Sequence, residues 1–360
     1  FICLQVLART GYVEHTTDVS TLQNHSTLLG LFLMTTVFPM VGYALMLIPM
    51  HFYNITGDSH RRMIKDIMAR GSSPGGCGGR GQRGLNRRGS QMYKFTFLAD
   101  LHYYSKTLGT SGRAYELRSG SDQKCLAESG AIIDAAFDHL ARSDTRAVLL
   151  AGDLTNDGEM VCHRELREKL YALAEKKPVY LITNTHDWCC DGNPRRFTGA
   201  RVTHDVPTMP HTGIHDFYYD FGGRQAIAEY RTHLGISSYV IPLAEKIWLL
   251  ALCDDQNGRG KAGYTEPHFQ WIEEQLRRAK EQGCLVLGMQ HHLLLPHVHP
   301  LLTGGCCVGD REAVTARLAD AGLRYMFVGH SHLQRTDRYR SPAGNELTEV
   351  NVGALSGYPV

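Results

Sequence analysis

Five short apolar, β-rich runs in this chain each end on an aspartate or a histidine, and that repetition constrains the fold more than any other feature. Lys94–Ala99 (KFTFLA) precedes Asp100-Leu101-His102, and Arg146–Ala151 (RAVLLA) precedes Gly152-Asp153 and the rest of GDLTNDG. Pro178–Ile182 (PVYLI) precedes Thr183-Asn184-Thr185-His186-Asp187, and Cys284–Gln290 (CLVLGMQ) precedes His291-His292. Tyr325–Val328 (YMFV) precedes Gly329-His330-Ser331-His332. Segments of helical period separate the runs, which is the element order of an α/β domain. In open α/β sheets ligands gather beyond the carboxyl ends of the strands. One histidine there is ordinary, but five Asp/His ends in series predict a metal centre. Residues i and i+2 of an extended chain point the same way, so Asp100 and His102 are expected to chelate one ion. Gly152 permits a tight turn, and the two oxygens of Asp153 let it bridge two ions.

The blocks DLH, GDLTNDG, NTHD, HH and GHSH, in this order, resemble those of the calcineurin-like metallophosphoesterases (DxH, GDxxxxG, GNHD, H, GHxH). The likeness runs from about Phe95 to His332. It implies a four-layer α/β/β/α sandwich with the site at the sheet edge, over a domain spanning residues 93–360. It also implies two divalent ions (Mn, Fe, Zn or Mg). Asp100, His102 and His332 would hold the first, His291 and His330 the second, and Asp153 would bridge them. His291 takes the ligand role because the family ligand directly follows the strand; His292 would then face the substrate or support the ligands.

In the third block Thr185 stands where the family has an asparagine carbonyl on the second metal. A hydroxyl is shorter, so the second ion is expected to be held more weakly, with Asn184 reaching in if the turn shifts by one residue. Asn184 replaces the family's glycine, which would strain the turn if φ were positive. The resemblance makes His186 the group that protonates the leaving oxygen or stabilises charge at phosphorus, with Asp187 orienting it. Paired metals polarise a phosphoryl oxygen and lower the pKa of a bridging water, making hydroxide available near neutral pH. The expected activity is hydrolysis of a small phosphoester, mono- or diester. The competing expectation is a degenerate site on a domain that binds without turnover.

No P-loop is present, and no GxSxG stands in a recognisable strand–turn–helix setting (the literal match at residues 71–75, GSSPG, falls in the Gly/Arg-rich stretch), which argues against an NTP-driven motor and a serine hydrolase of that type. The segment 204–231, with His211, His215, Asp216, Tyr218, Tyr219 and Asp220, is placed where such enzymes carry specificity loops. Arg259 and Lys261 are basic loop residues able to reach a phosphate. Leu126–Ala141, Phe269–Gln282 and Arg311–Ala321 read as amphipathic helices that cover the sheets. Glu346–Val352 reads as a further strand, and the family domain usually continues beyond Val360.

The first 92 residues have a different character. Residues 27–53 contain no Asp, Glu, Lys or Arg, a length that spans a bilayer's hydrocarbon layer. Arg61, Arg62, Lys65 and Arg70 follow it, which places the later part of the chain on the cytoplasmic side. Residues 60–70 read as a basic amphipathic helix at the membrane surface. GYVEHTTDVSTLQNHSTLLGLFLMTTVFPMVGYALMLIPMHFYNITGDSHRRMIKDIMAR resembles the end of a melibiose-type sodium–sugar symporter over residues 1–70. It covers only the last one or two helices, so transport is not expected. Residues 71–92 are a Gly/Arg-rich linker. The start at Phe1 and the change of character across this seam are also what an accidental junction of two genes would give. The domain would then be expected in the cytoplasm. A net charge of +2 argues against a strongly basic nucleic-acid binder. Ten cysteines without a CxxC pair read as reduced thiols.

Overall fold

The computed structural model describes residues 93–188, 193–255, 262–298 and 304–357, together with 29, 32–37 and 40. The chain divides into two units, Phe1–Arg88 and Gly89–Val360. In the first, a π-helical turn covers Leu33–Val37, and the Thr36 hydroxyl donates to the Phe32 carbonyl at 2.7 Å. The rest of the apolar stretch at 27–53, the basic segment at 60–70 and the linker at 71–92 lie outside the described residues. Among the described residues no helix is long and apolar enough to cross a membrane.

The second unit opens with β1 (Phe95–Leu98), α1 (Arg113–Ser119), α2 (Ser129–Arg142), β2 (Ala147–Ala151), α3 (Met160–Ala174) and β3 (Val179–Ile182). A β4–β5 hairpin (Arg196–Thr198, Arg201–Thr203) and α4 (His211–Tyr218) follow. The chain then forms β6 (Ala228–Arg231), β7 (Ser237–Ala244), β8 (Ile247–Ala251), α5 (Glu266–Glu281) and β9 (Leu285–Met289). It continues with α6 (Arg311–Asp320), β10 (Tyr325–Val328), β11 (Arg335–Arg340) and β12 (Glu346–Asn351). β1, β2 and β3 make a parallel three-stranded sheet. The other large sheet has seven strands in the order β11-β12-β10-β9-β8-β7-β6.

The two sheets pack face to face. Leu149, Ala151 and Ile182 of the first share a core with Ile241, Leu249 and Met289 of the second. The rings of Phe97 and Phe327 stack between them. Alternation along each strand supplies the outer layers. On β2, Val148 and Leu150 turn away from Leu149 to meet Ile133 and Phe137 of α2 and Leu166 and Leu170 of α3. On β8, Trp248 and Leu250 meet Phe269, Ile272 and Leu276 of α5 and Leu318 of α6. The result is helix, sheet, sheet, helix: four layers. Every residue of β2 is buried, so truncating Leu149 or Leu150 to alanine would cost about 2–5 kcal/mol.

The helices follow from their apolar spacing. On α5, Phe269, Ile272, Leu276 and Ala279 face inward, Pro267 sits in the first turn where its missing N–H is no loss, and Arg277 pairs outward with Glu274 and Glu281. Helices α1, α3 and α4 and strands β4, β5, β6, β7 and β11 have no counterpart among the sequence-based elements. α3 is rich in Arg, Glu and Lys, but its buried stripe Cys162, His163, Leu166, Leu170 and Leu173 keeps helical spacing. On β11, charged and polar residues dominate an edge strand whose register is set by β12.

Candidate metal centre

Backbone hydrogen bonds lace the first two strand ends together. Asp100 N–H donates to the Gly152 carbonyl (3.2 Å), His102 N–H to that of Asp153 (3.0 Å), and Tyr103 N–H to that of Leu154 (2.9 Å). This lacing holds both ends in conformations that L-residues avoid. Asp100 (φ 55°), His102 (φ 42°) and Asp153 (φ 50°) are left-handed, as are His330 (φ 67°) and His332 (φ 59°) across the site. Only His297 and Asp310 join these five among the described non-glycine residues with positive φ. Each such residue stores about 1–3 kcal/mol, which persists only where the surroundings over-determine it. Asp100 and His102 therefore converge through a left-handed turn, not through the alternation of an extended strand expected from their spacing.

Two glycines make the approach possible. A Cβ on Gly329 would stand 2.5 Å from Asp100 Oδ2, and one on Gly152 would stand 2.8 Å from His291 Nδ1. With the space clear, the His330 N–H donates to Asp100 Oδ2 (2.9 Å).

Two donor triads result, Asp100–His102–His332 and Asp153–His291–His330, each with its ligand atoms within 4.8 Å of one another. In the first, Asp100 Oδ1 lies 3.6 Å from His102 Nε2 and 3.5 Å from His332 Nε2, and the two imidazole nitrogens are 3.1 Å apart. In the second, Asp153 Oδ2 lies 3.3 Å from His291 Nε2, which is 3.1 Å from His330 Nδ1. Asp153 Oδ2 also approaches His102 Nε2 at 3.9 Å, so it stands between the triads.

Donors about 2.1 Å from a shared ion in tetrahedral or octahedral geometry are themselves roughly 3.0–3.4 Å apart. The observed spacings are close to that range. Asp100 Oδ1, Asp153 Oδ1 and His102 Nδ1 are buried without a hydrogen-bond partner among the described residues. His291 Nδ1–H donates to the Ala151 carbonyl at 2.7 Å, which leaves the Nε2 lone pair turned into the site. Imidazole nitrogens and carboxylate oxygens at these spacings suit divalent transition ions. The residues present fit the metal ions that such a site calls for.

The electrostatics point the same way. Burial pushes the Asp100 carboxyl up, but hydrogen bonding to His102 and His332 wins and holds it well below the usual carboxylate range. Burial also opposes ionisation of Asp153, and the charges of His291 and His186 overcome it. His291 is depressed by burial yet raised well above an ordinary histidine by Asp153. Two buried carboxylates thus demand positive charge between them.

His186 and Asp187 sit on a 3₁₀ turn, Thr185–Asp187, after β3. The His186 ring approaches that of His102 edge-on, with centroids 5.5 Å apart. Its Nδ1–H donates to the Asn156 carbonyl (2.6 Å), and Asp157 Oδ1 lies 3.5 Å away. Asp187 does not orient His186 by a side-chain bond, as the motif suggested. Its Oδ1 accepts from the N–H and hydroxyl of Thr155 (2.8 and 3.1 Å), and its Oδ2 accepts from the Asn184 N–H (2.9 Å). It closes the turn, and burial followed by the Asp153 charge pushes its carboxyl up to about 7. Asn184 has no positive φ, so replacing glycine there imposes no strain. Its side chain is fully buried, with Nδ2 3.5 Å from His292 Nδ1. The side chain of Thr185 lies outside the described residues, as do Arg259 and Lys261.

Several contributors carried little motif signal. Asp254 accepts from the His292 N–H (2.7 Å) and lies 3.3 Å from its Nδ1. It belongs to a sixth strand end, after β8, that follows the same rule as the other five. Tyr218 is a packed residue: its hydroxyl donates to His163 Nδ1 (2.7 Å), and His163 Nε2–H donates to the Asp187 carbonyl (2.6 Å). His215 pairs with Asp216 and Glu229, and Tyr171 donates to Asp220, so this part of segment 204–231 is tied into the scaffold.

A four-layer α/β fold with two Asp/His triads at its strand ends defines a protein able to bind metal ions. The chain belongs to the calcineurin-like phosphoesterase family, whose model matches residues 93–334. Among solved structures, a dimetal phosphatase from Danio rerio is similar with a TM-score of 0.52 at 14% identity, over 74% of this chain and 89% of that one. A purple acid phosphatase from yellow lupin (Lupinus luteus) seeds is similar with a TM-score of 0.45 at 13% identity, over 74% of this chain and 44% of that one. The first of these is a likeness of fold alone. No curated protein matches the chain.

Proposed function

We propose that the chain hydrolyses a phosphoester, with Asp100, His102 and His332 holding one divalent ion, His291 and His330 a second, and Asp153 bridging the two. The observation that supports this best is the convergence of six donors, five of them held in left-handed backbone. A fold does not maintain that much local strain in one place without a use for the geometry. When bound, the ions supply Lewis acidity to a phosphoryl oxygen and to the attacking water. The remaining work falls to side chains. His186 commits Nδ1 to the Asn156 carbonyl, which leaves Nε2 for the leaving-group oxygen. Asp187 and Thr155 fix the turn that carries it. Asp254 and Asn184 set the orientation of His292 at the rim of the second triad.

The test is hydrolysis of bis-p-nitrophenyl phosphate and p-nitrophenyl phosphate by the full chain with added manganese, beside Asp153→Ala. Metal-dependent turnover lost in the variant supports the proposal. A folded protein that binds manganese and turns over neither compound would sink it in favour of a binding domain.

A further inference from the structure

Resting on that reading, we propose that Lys124 is the cationic contact for the substrate's phosphate oxyanion, on the His102–His186 side of the metal pair. Lys124 is the sole lysine or arginine among the buried residues described, 8% exposed. Its backbone N–H donates to Asp122 Oδ1 at 3.3 Å. No hydrogen bond or ion pair reaches its ammonium among the described residues. The nearby carboxylate of Asp122 is engaged by Arg118. A lysine this buried, whose ammonium has no hydrogen bond or ion pair among the described residues, points to an anion that arrives later.

The backbone shows where that anion would sit. Lys124 bridges Gly357, and the Cys125 N–H donates to the Ser356 carbonyl at 2.8 Å. The same segment bridges back to β1: Ala354 pairs with Ala99, and the Leu355 N–H donates to the Ala99 carbonyl at 3.1 Å. Ala99 immediately precedes Asp100. One short segment therefore ties Lys124 to the start of the first triad. A phosphate held by the metal pair with its leaving oxygen toward His186 would present a non-bridging oxygen to this ammonium. Nothing in the sequence marks the residue, because it lies in a loop outside all five strand ends.

Inorganic phosphate is the probe. Its binding to the manganese-loaded full chain is measured by calorimetry for the wild type, Lys124→Met and Lys124→Arg, with metal content and Tm recorded for each. Loss of the charge should weaken phosphate binding by at least about thirtyfold, as for truncation of one member of a buried charge pair. Metal content should not change, and Lys124→Arg should recover part of the loss. With p-nitrophenyl phosphate, Lys124→Met should raise KM more than it lowers kcat. Equal phosphate affinity in Lys124→Met and the wild type, or no phosphate binding by the wild type at millimolar concentration, overturns the inference even where the wild type hydrolyses esters. Phosphate binding that depends on Lys124 without turnover would instead overturn the hydrolase reading alone. Should Lys124→Met fail to fold, acylation of Lys124 in the wild type, read by mass spectrometry, decides: phosphate must protect it, and unchanged labelling overturns the inference.

Discussion

The two donor triads draw differently on the chain. The first takes Asp100 and His102 from a single strand end and adds His332 from the opposite sheet. The second takes one residue, Asp153, from the three-stranded sheet and two, His291 and His330, from separate strand ends of the seven-stranded sheet. A chelate two residues apart is largely assembled by one turn, whereas three separate ends must be assembled by the packing of both sheets. The second triad is also more crowded: the His292 ring lies 4.4 Å from that of His330, centroid to centroid. Burial, followed by the charges of His292 and His291, drives His330 well below an ordinary histidine. The first triad is therefore expected to hold its ion tightly, and the second to depend on how well the sheets meet.

Removing one ligand from each triad is the sharpest way to break this comparison. Asp153→Ala should damage both ions, while His332→Ala and His291→Ala should each empty mainly one. All three should lower turnover by at least about a thousandfold, since Lewis-acid stabilisation is worth several kcal/mol. Metal analysis should find one ion kept by His332→Ala and one, more tightly held, kept by His291→Ala. If both single-triad variants lost both ions equally, the site would be one cooperative unit and the comparison would fail.

Much of this centre was legible because each ligand follows an apolar run, and a strand end fixes where the next residue goes. The same rule gave β1, β2, β3, β9 and β10 to within a residue or two at each end. What it missed depends on contacts far apart in sequence. His163 sits on a helix whose charged composition hid its buried stripe, and it meets Asp187 only in the folded chain. The left-handed turns at Asp100 and His102 arise from backbone bonds to Gly152 and Asp153, about fifty residues away. Thiols were expected to be reduced, and the described cysteines are free.

A second measurement separates the metal centre from the wall behind it. Glu159 is fully buried; its Oε2 accepts from the Asp157 N–H at 3.0 Å, and its Oε1 has no hydrogen-bond partner among the described residues. Burial and the neighbouring Asp157 push its carboxyl up from 4.5 to about 7. The folded chain then binds a proton that the unfolded chain has released. Stability from this group is complete below pH 4.5 and is lost as pH rises through about 7. The loss amounts to something on the order of 3 kcal/mol. Glu159→Gln should flatten that part of the urea-midpoint profile between acid and neutral pH in chelator, without changing which triad loses its ion first. An unchanged slope would place its ionisation elsewhere.

The weaker second ion can be tested through Asn184. Its buried side chain sits beside His292, close to where a Cβ on Gly152 would fall. Asn184→Ala should weaken the more loosely held ion by about 10–100-fold, the usual effect of losing an outer partner of a ligand shell. The tighter ion should be unaffected. Chelator titrations that showed equal weakening of both ions would assign Asn184 to general packing.

The smallest effect expected concerns the turn that carries His186. Burial pushes His163 down to about 4, so at neutral pH it is a neutral imidazole with one donor and one acceptor. The donor goes to the Asp187 carbonyl and the acceptor receives the Tyr218 hydroxyl. Tyr218→Phe removes that hydroxyl and leaves Nδ1 unsatisfied, at a cost of about 1 kcal/mol in stability. Because Asp187 keeps its bonds to Thr155 and Asn184, the turn should loosen without collapsing. We expect kcat to fall by less than about tenfold, with both ions retained, since the change touches proton delivery and not the ligands. A loss of metal from either triad in Tyr218→Phe would show that the turn and the centre form a single mechanical unit, and that the line drawn between ligands and scaffold is misplaced.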